Sequence, residues 1–220
     1  MTIGILALQG AFAAHAHALQ RLGATGWTAA GAAAGELCWR YVRRSEDFDG
    51  LDGLILPGGE STTMLRLLAE EGTWARLQEY VQERPVLGTC AGAILLSREV
   101  THPAQPSLGV LDASVVRNAY GRQVDSSIRQ GRWLPEGGEP LEMVFIRAPQ
   151  FSRLGAAVTV LAEEGKLPVA VQQGHVLAAT FHPELGTDLR LHSHFIERVR
   201  RAAGGVPAVP AAVGTPQQTD

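Results

Sequence analysis

Cysteine is almost missing from this sequence: Cys38 and Cys90 are the only two in 220 residues, far apart and in unlike surroundings. Two isolated thiols exclude a disulfide framework and make a reducing cytosol the expected setting. Aromatic residues are scarce at 6%, while apolar content, 45%, is ordinary for a globular chain. Neither sign of charge dominates: 22 acidic and 19 basic residues are interspersed for a formal net charge of −3. That balance leaves no electrostatic footprint for nucleic acid or an anionic membrane. No uncharged apolar run approaches the ~20 residues needed to span a bilayer. The opening Met1-Thr2-Ile3-Gly4-Ile5-Leu6 lacks the basic segment of a signal peptide and reads as a strand. There is no internal repeat and no clear second domain.

What is present alternates. "IGILAL" (3–8) is an aliphatic run of the kind buried on both faces of a sheet. A glycine turn and "AFAAHAHALQRLG" follow, a helix with Gly23 as its expected C-cap. Residues 24–36 read as a Gly/Ala/Thr-rich loop and 37–42 as a second strand. "LDGLILPGGES" (51–61) predicts a third strand, with Ser61 or Thr62 capping the helix "TMLRLLAEEG". "TWARLQEYVQE" predicts another helix, "PVLG" a strand and "AGAILLSREV" a helix after Cys90. This βαβα order implies an α/β fold, a parallel sheet covered by helices on both sides. From about residue 108, short strand-like runs between turns favour hairpins or mixed pairing, including one with its turn at Gly174. Residues 187–203 predict a closing helix capped by Thr187, and the Gly/Pro/Ala-rich 204–220 a disordered tail.

Strand, Gly-Thr-Cys-Ala-Gly, helix is the form of a nucleophile elbow around Cys90, where small neighbours admit a strained backbone and close packing. A helix N-terminus there lowers a thiol pKa and offers backbone N–H groups to an oxyanion. Seven histidines are candidates for its base. His15, His17, His102, His175, His192 and His194 read as solvated or structural. His182 stands apart: it ends the apolar run "VLAATFHPE", and Glu184 lies two residues on, where an extended segment would point its side chain the same way. A carboxylate beside an imidazole is the third member of a Cys-His-acid triad. Gly58-Gly59 in "LPGGEST" let backbone approach a ligand, and no Gly-Lys-Ser/Thr follows to make it a phosphate loop. Arg117 and Arg147 follow apolar residues that direct them into the protein or a cleft, where an arginine commonly pairs with a carboxylate.

With "GILALQGAF", "GLILPGGESTTM", "VLGTCAGAILL", "VVRNAYGRQVDS", "VFIRAP" and "TFHPEL" assembled, the sequence resembles the class I (triad) glutamine amidotransferases, and among them the PdxT/SNO family. The resemblance runs from residue 3 to about 186. It implies a flavodoxin-like three-layer sandwich over 1–203, with a central mostly parallel sheet. It implies hydrolysis of L-glutamine to glutamate and ammonia: Cys90 as nucleophile, His182 as base and then acid, Glu184 orienting it. Gly59, Glu60, Ser61, Arg117, Ile146 and Arg147 would contact glutamine, and Gly58, Gly59 and Ala91 would form the oxyanion region. Gln9 and Gly10 would lie near a partner interface and organise the site. No metal and no cofactor are implied; pyridoxal 5′-phosphate would be the product of a complex with a PdxS/SNZ-like (βα)₈-barrel synthase, twelve subunits of each. The sequence departs from the family pattern in residues 24–36 and in its tail, away from every motif.

Three rivals remain at this level: the glutaminase of another synthase, a catalytically silent subunit on the same fold, and a flavodoxin-like cysteine hydrolase. "STTM", "RNAYGRQVDS" and "FIRAP" argue against the first, the filled triad against the second, and the "HPE" against the third.

Overall fold

Alternate side chains of one buried run go to opposite faces of a sheet, and the strands that open this chain separate two cores accordingly. The computed structural model describes residues 1–24, 37–117, 119 and 126–204. Strand β1 (Thr2–Leu6) lies between β2 (Cys38–Val42) and β3 (Gly53–Leu56), and β3 pairs with β4 (Val86–Thr89), all parallel. Ile3, Ile5, Ile55 and Leu87 face α1 (Phe12–Ala24) and α5 (Arg190–Ala203). Leu54, Leu56 and Val86 face the other way, onto α2 (Ser61–Glu70), α3 (Trp74–Glu83) and α4 (Ala91–Leu96). The expected three layers are therefore present.

The large sheet has nine strands. Chain order supplies β5 (Ser97–Thr101), β6 (Leu111–Val116), β7 (Ser127–Trp133), β8 (Glu139–Phe145), β9 (Gln150–Leu154), β10 (Thr159–Glu164), β11 (Leu167–Gln173) and β12 (Val176–Ala179). Strand order is β2-β1-β3-β4-β12-β11-β10-β7-β8. Pairing is parallel as far as β12 and antiparallel beyond it. The predicted hairpin is there, with Gln173 opposite Val176 across Gly174. A second sheet, β5-β6-β9, packs on the α2–α4 side.

Several local expectations fail for physical reasons. The helix after Cys90 stops at Leu96, because Ser97 Oγ donates back to the Ala93 carbonyl at 2.8 Å and its backbone turns extended; Ser97–Thr101 is then a strand. Gly23 lies inside α1, in open space where a glycine costs only its propensity. The cap of α2 is Glu60, whose longer carboxylate accepts from the amides of Thr62 and Thr63. Thr187 does not cap α5; Asp188 Oδ1 accepts from the Arg190 amide. "LEMVFIRAPQF" contains two strands in different sheets, β8 and β9, with Arg147 at φ 45° where the chain turns between them. The readings of 25–36, of 118 and 120–125 within "RNAYGRQVDS", and of 205–220 fall outside the described residues.

One close approach positions the site. A Cβ on Gly92 would stand 2.1 Å from the Leu56 carbonyl oxygen, and one on Gly88 would stand 2.6 Å from the Gly92 carbonyl carbon. Only hydrogen at both positions lets α4 lie against β3 and β4. Gly92→Ala should therefore lower stability by roughly 1–3 kcal/mol, the usual cost of overpacking, read as a reduced urea midpoint. An unchanged midpoint would mean that α4 has slack.

Candidate active site

The carboxyl ends of parallel strands are where open α/β sheets build their sites, and here four neighbours supply one group each. After β1 comes Gln9, after β3 Gly58-Gly59-Glu60, after β4 Cys90, and after β12 His182. Cys90 has φ 46° and ψ −101°, the strained elbow that the sequence predicted. Its amide donates to the Ala179 carbonyl at 2.8 Å, tying the elbow to the end of β12. Ala91 is the first residue of α4, so its amide has no acceptor within the helix.

His182 is 6% exposed and hydrogen-bonds Cys90. Its Nδ1 lies 2.8 Å from Glu184 Oε1, which leaves Nε2 for the sulfur. The pairing comes about by a different route from the one expected: Pro183–Leu185 form a 3-10 turn rather than an extended segment. Burial pushes the His182 pKa down, but hydrogen bonds to Cys90 and Glu184 and their negative charge outweigh it, raising the group to about 10. Burial likewise pushes Glu184 up, while His15 and His182 beside it hold its carboxyl below the ordinary value.

Gly58 and Gly59 are glycines for lack of room. A Cβ on Gly58 would lie 2.3 Å from His182 Cε1, and one on Gly59 2.3 Å from Gln9 Oε1. The Gly58 carbonyl accepts from the Ala11 amide at 2.9 Å; across the planar peptide the Gly59 amide points the opposite way, off the start of α1. Gln9 Oε1 accepts from the Glu60 amide at 3.0 Å, and Gly10, at φ 94°, would meet the Gly58 oxygen with any Cβ. Gln9 and Gly10 thus brace the Gly58–Glu60 loop.

A cleft of about 210 Å³ opens above the thiol. All six residues assigned to substrate contact, Gly59, Glu60, Ser61, Arg117, Ile146 and Arg147, line it, together with Gln9, Cys90 and His182. Gly58, Gly10 and Ala91 are not part of that lining, and Glu184 is buried against His182. Arg117 donates to Glu60 Oε1 at 3.2 Å. Burial alone would raise Glu60, but hydrogen bonds from Thr62 and Thr63 bring it to about 2, so it is ionised. Two arginines, an ionised carboxylate and an apolar wall suit a small zwitterion, and the cleft is below the roughly 300–1,000 Å³ of drug-sized sites. Among the described residues, no group of three or more His, Cys, Asp or Glu is arranged to hold a metal ion.

Sequence reasoning missed four groups. Ile94 lines the cleft, and Gln105 Oε1 accepts from Ser61 Oγ at 2.8 Å. His15 and His192, read as solvated or structural, are fully buried, and His15 reaches Glu184. Their signal was periodicity: His15 shares the stripe of Phe12, Leu19 and Leu22, and His192 that of Phe195, Ile196 and Val199.

Comparison with known proteins identifies the family. The chain is 47% identical over 205 residues to the pyridoxal 5′-phosphate synthase subunit PdxT of Koribacter versatilis, covering 93% of this chain and 99% of that protein. It is 50% identical over 204 residues to the subunit of the same name from Deinococcus radiodurans, covering 89% and 96%. A crystal structure described as a glutamine amidotransferase superposes with a TM-score of 0.77 at 48% identity, covering 90% of this chain and 98% of that one. A glutamine amidotransferase from Thermotoga maritima shares the fold at 16% identity, with a TM-score of 0.53 and coverage of 94% and 85%. The family profile of the SNO glutamine amidotransferases matches residues 5–201, and the chain belongs to that family.

Proposed function

We propose that this chain is the glutaminase subunit of a pyridoxal 5′-phosphate synthase, hydrolysing L-glutamine to L-glutamate and ammonia. The observation that carries the reading is the convergence of a thiol on a strained elbow, an imidazole bonded to a buried carboxylate, and a zwitterion-sized cleft above them.

The α-carboxylate of glutamine meets Arg117 and Arg147, its ammonium meets Glu60, and Gly59, Ser61 and Ile146 line its path to Cys90. His182, raised to about 10, already holds the proton on Nε2 at neutral pH, so Cys90 stands beside it as a thiolate, and Sγ bonds directly to the side-chain amide carbon. The amide oxygen takes the negative charge against backbone donors of the Gly58-Gly59 region and Ala91. His182 then protonates the departing nitrogen, the C–N bond breaks, and ammonia leaves a glutamyl thioester. Water adds to that ester with its proton going to His182; the C–S bond breaks, glutamate departs, and the Cys90 thiolate and His182 imidazolium pair is restored. Glu184 stabilises the imidazolium in both halves and remains ionised.

Ammonia goes to a PdxS-type synthase, as the naming of the relatives supports. We place the complex at twelve glutaminases on twelve synthases, in the reducing cytosol. No helix among the described residues is long and apolar enough to cross a membrane. The chain needs no cofactor of its own, pyridoxal 5′-phosphate being the product of the complex.

Glutamate release from glutamine should be slow for the chain alone and rise strongly when a PdxS-type synthase is added. Equal rates would retain the triad and detach it from this partner; no glutamate under either condition would bring forward a silent binding subunit. Cys90→Ala should abolish the reaction while the chain stays folded, and Glu184→Gln should leave a residual rate, reduced by up to about 10⁴-fold.

The pH dependence follows from His182. Its folded value, about 10, lies above the ordinary 6.5, so the imidazolium persists through neutrality and is lost as pH rises through about 10. Any stability that it contributes is complete below 6.5 and disappears over the same interval. The alkaline limb of kcat/KM should fall near pH 10, and a limb near 6.5 would contradict the assigned ion pair.

A further inference from the structure

Behind the triad lies a buried polar cluster that the mechanism above does not use. His15 on α1 and His192 on α5 have no exposed surface. His15 Nε2 is 3.4 Å from Glu184 Oε2 and 3.1 Å from Thr89 Oγ1, and its Nδ1 is 3.0 Å from His192 Nε2. Glu184 Oε1 faces His182, whereas Oε2 is buried without a hydrogen bond of ordinary geometry among the described residues. His192 Nδ1 is likewise buried without a partner there.

Both imidazoles are neutral, because burial pushes each below its ordinary pKa. Each ring then carries one N–H, and only two self-consistent arrangements exist. In one, His15 donates from Nδ1 to His192 Nε2. His192 must then bear its own proton on Nδ1, a buried donor with nothing to receive it, and the bare Nε2 of His15 faces a carboxylate oxygen. Both features are costly. In the other, His192 donates from Nε2 to His15 Nδ1, and His15 carries its proton on Nε2, toward Thr89 Oγ1 and Glu184 Oε2. The unpartnered His192 Nδ1 is then only a bare acceptor.

We infer that His15 is a positioning residue for Glu184: its Nε2–H, fixed in place by donation from His192, holds the carboxylate oxygen that does not face His182. The carboxylate is thereby kept from rotating, and Oε1 stays on Nδ1 of the catalytic imidazole. This assignment rests on the glutaminase reading for its kinetic consequence, but its hydrogen-bond pattern stands independently of any activity.

The first test therefore uses the unaltered chain. In ¹⁵N-histidine-labelled protein at neutral pH, His15 and His192 should each show a protonated Nε2 and a bare Nδ1; a protonated Nδ1 on either ring overturns the inference. The second test is kinetic, in the presence of the synthase. His15→Leu should lower kcat for glutamate release by about 10- to 100-fold, the value of one hydrogen bond to a charged group, with KM for glutamine unchanged. His15→Gln, which can present an N–H near the same place, should recover most of that loss. Equal losses in the two variants, or none in His15→Leu, would assign His15 to packing alone and overturn its positioning role. An inactive wild-type complex would overturn the glutaminase reading and with it the kinetic part of the inference; the wrong tautomer beside an active wild type overturns the inference alone.

Discussion

Cys90 holds a backbone conformation, φ 46° with ψ −101°, that a residue bearing a Cβ keeps only when its surroundings over-determine it. Here they do. Its amide is bound to the end of β12, the preceding strand is paired on both sides, and the following helix is pressed onto β3 and β4 through Gly88 and Gly92. The strain is supported by the parallel half of the sheet, whose apolar faces are buried under helices on both sides. The same strands carry the other groups of the cleft, so one element of architecture sets the sulfur, the imidazole and the glycine loop against each other.

Electrostatics completes what the backbone begins. Removing His182 and Glu184 from water disfavours charge on both, yet each is shifted toward its ionised form. Opposite partners at hydrogen-bond distance outweigh desolvation in this pocket. Such a balance requires that every charged atom have a partner in a fixed place. That requirement gives physical sense to two neutral histidines buried behind the triad, on helices that otherwise present apolar stripes to the sheet. It also explains why Gly58 tolerates no side chain: a methyl group there would displace the His182 ring.

The first helix belongs to both halves of the site. At its start, Ala11 binds the Gly58 carbonyl, and just before it Gln9 binds the Glu60 amide; one turn further on, His15 reaches Glu184. The glycine loop and the triad acid are thus fastened to one rigid element, and a displacement of α1 would be felt by both.

The alternation of aliphatic runs and amphipathic stretches, set by burial on two faces or one, was enough to read the parallel half of the fold. The elbow at Cys90 and the "HPE" at 182–184 were legible for a chemical reason: a strained nucleophile needs small neighbours, and a base needs an acid close in sequence or space. Local ends were less legible. Ser97 terminated α4 by a bond to its own helix, and Glu60 displaced Ser61 as a cap because its carboxylate reached further. Across long separations the sequence joined Cys90 to His182 by their chemistry, and it left strand order and the contacts between helices unread. The sequence by itself determined the strand–turn–helix units, the thiol and its imidazole, since these depend on neighbours within a few residues. Only the tertiary structure decided that Arg147 sits at the turn where the chain passes from one sheet to the other, that Arg117 meets Glu60 across 57 positions, and that His15 and His192, 177 positions apart, stand behind Glu184. Those contacts exist because strand order and helix packing bring distant segments together, and no local pattern encodes that order.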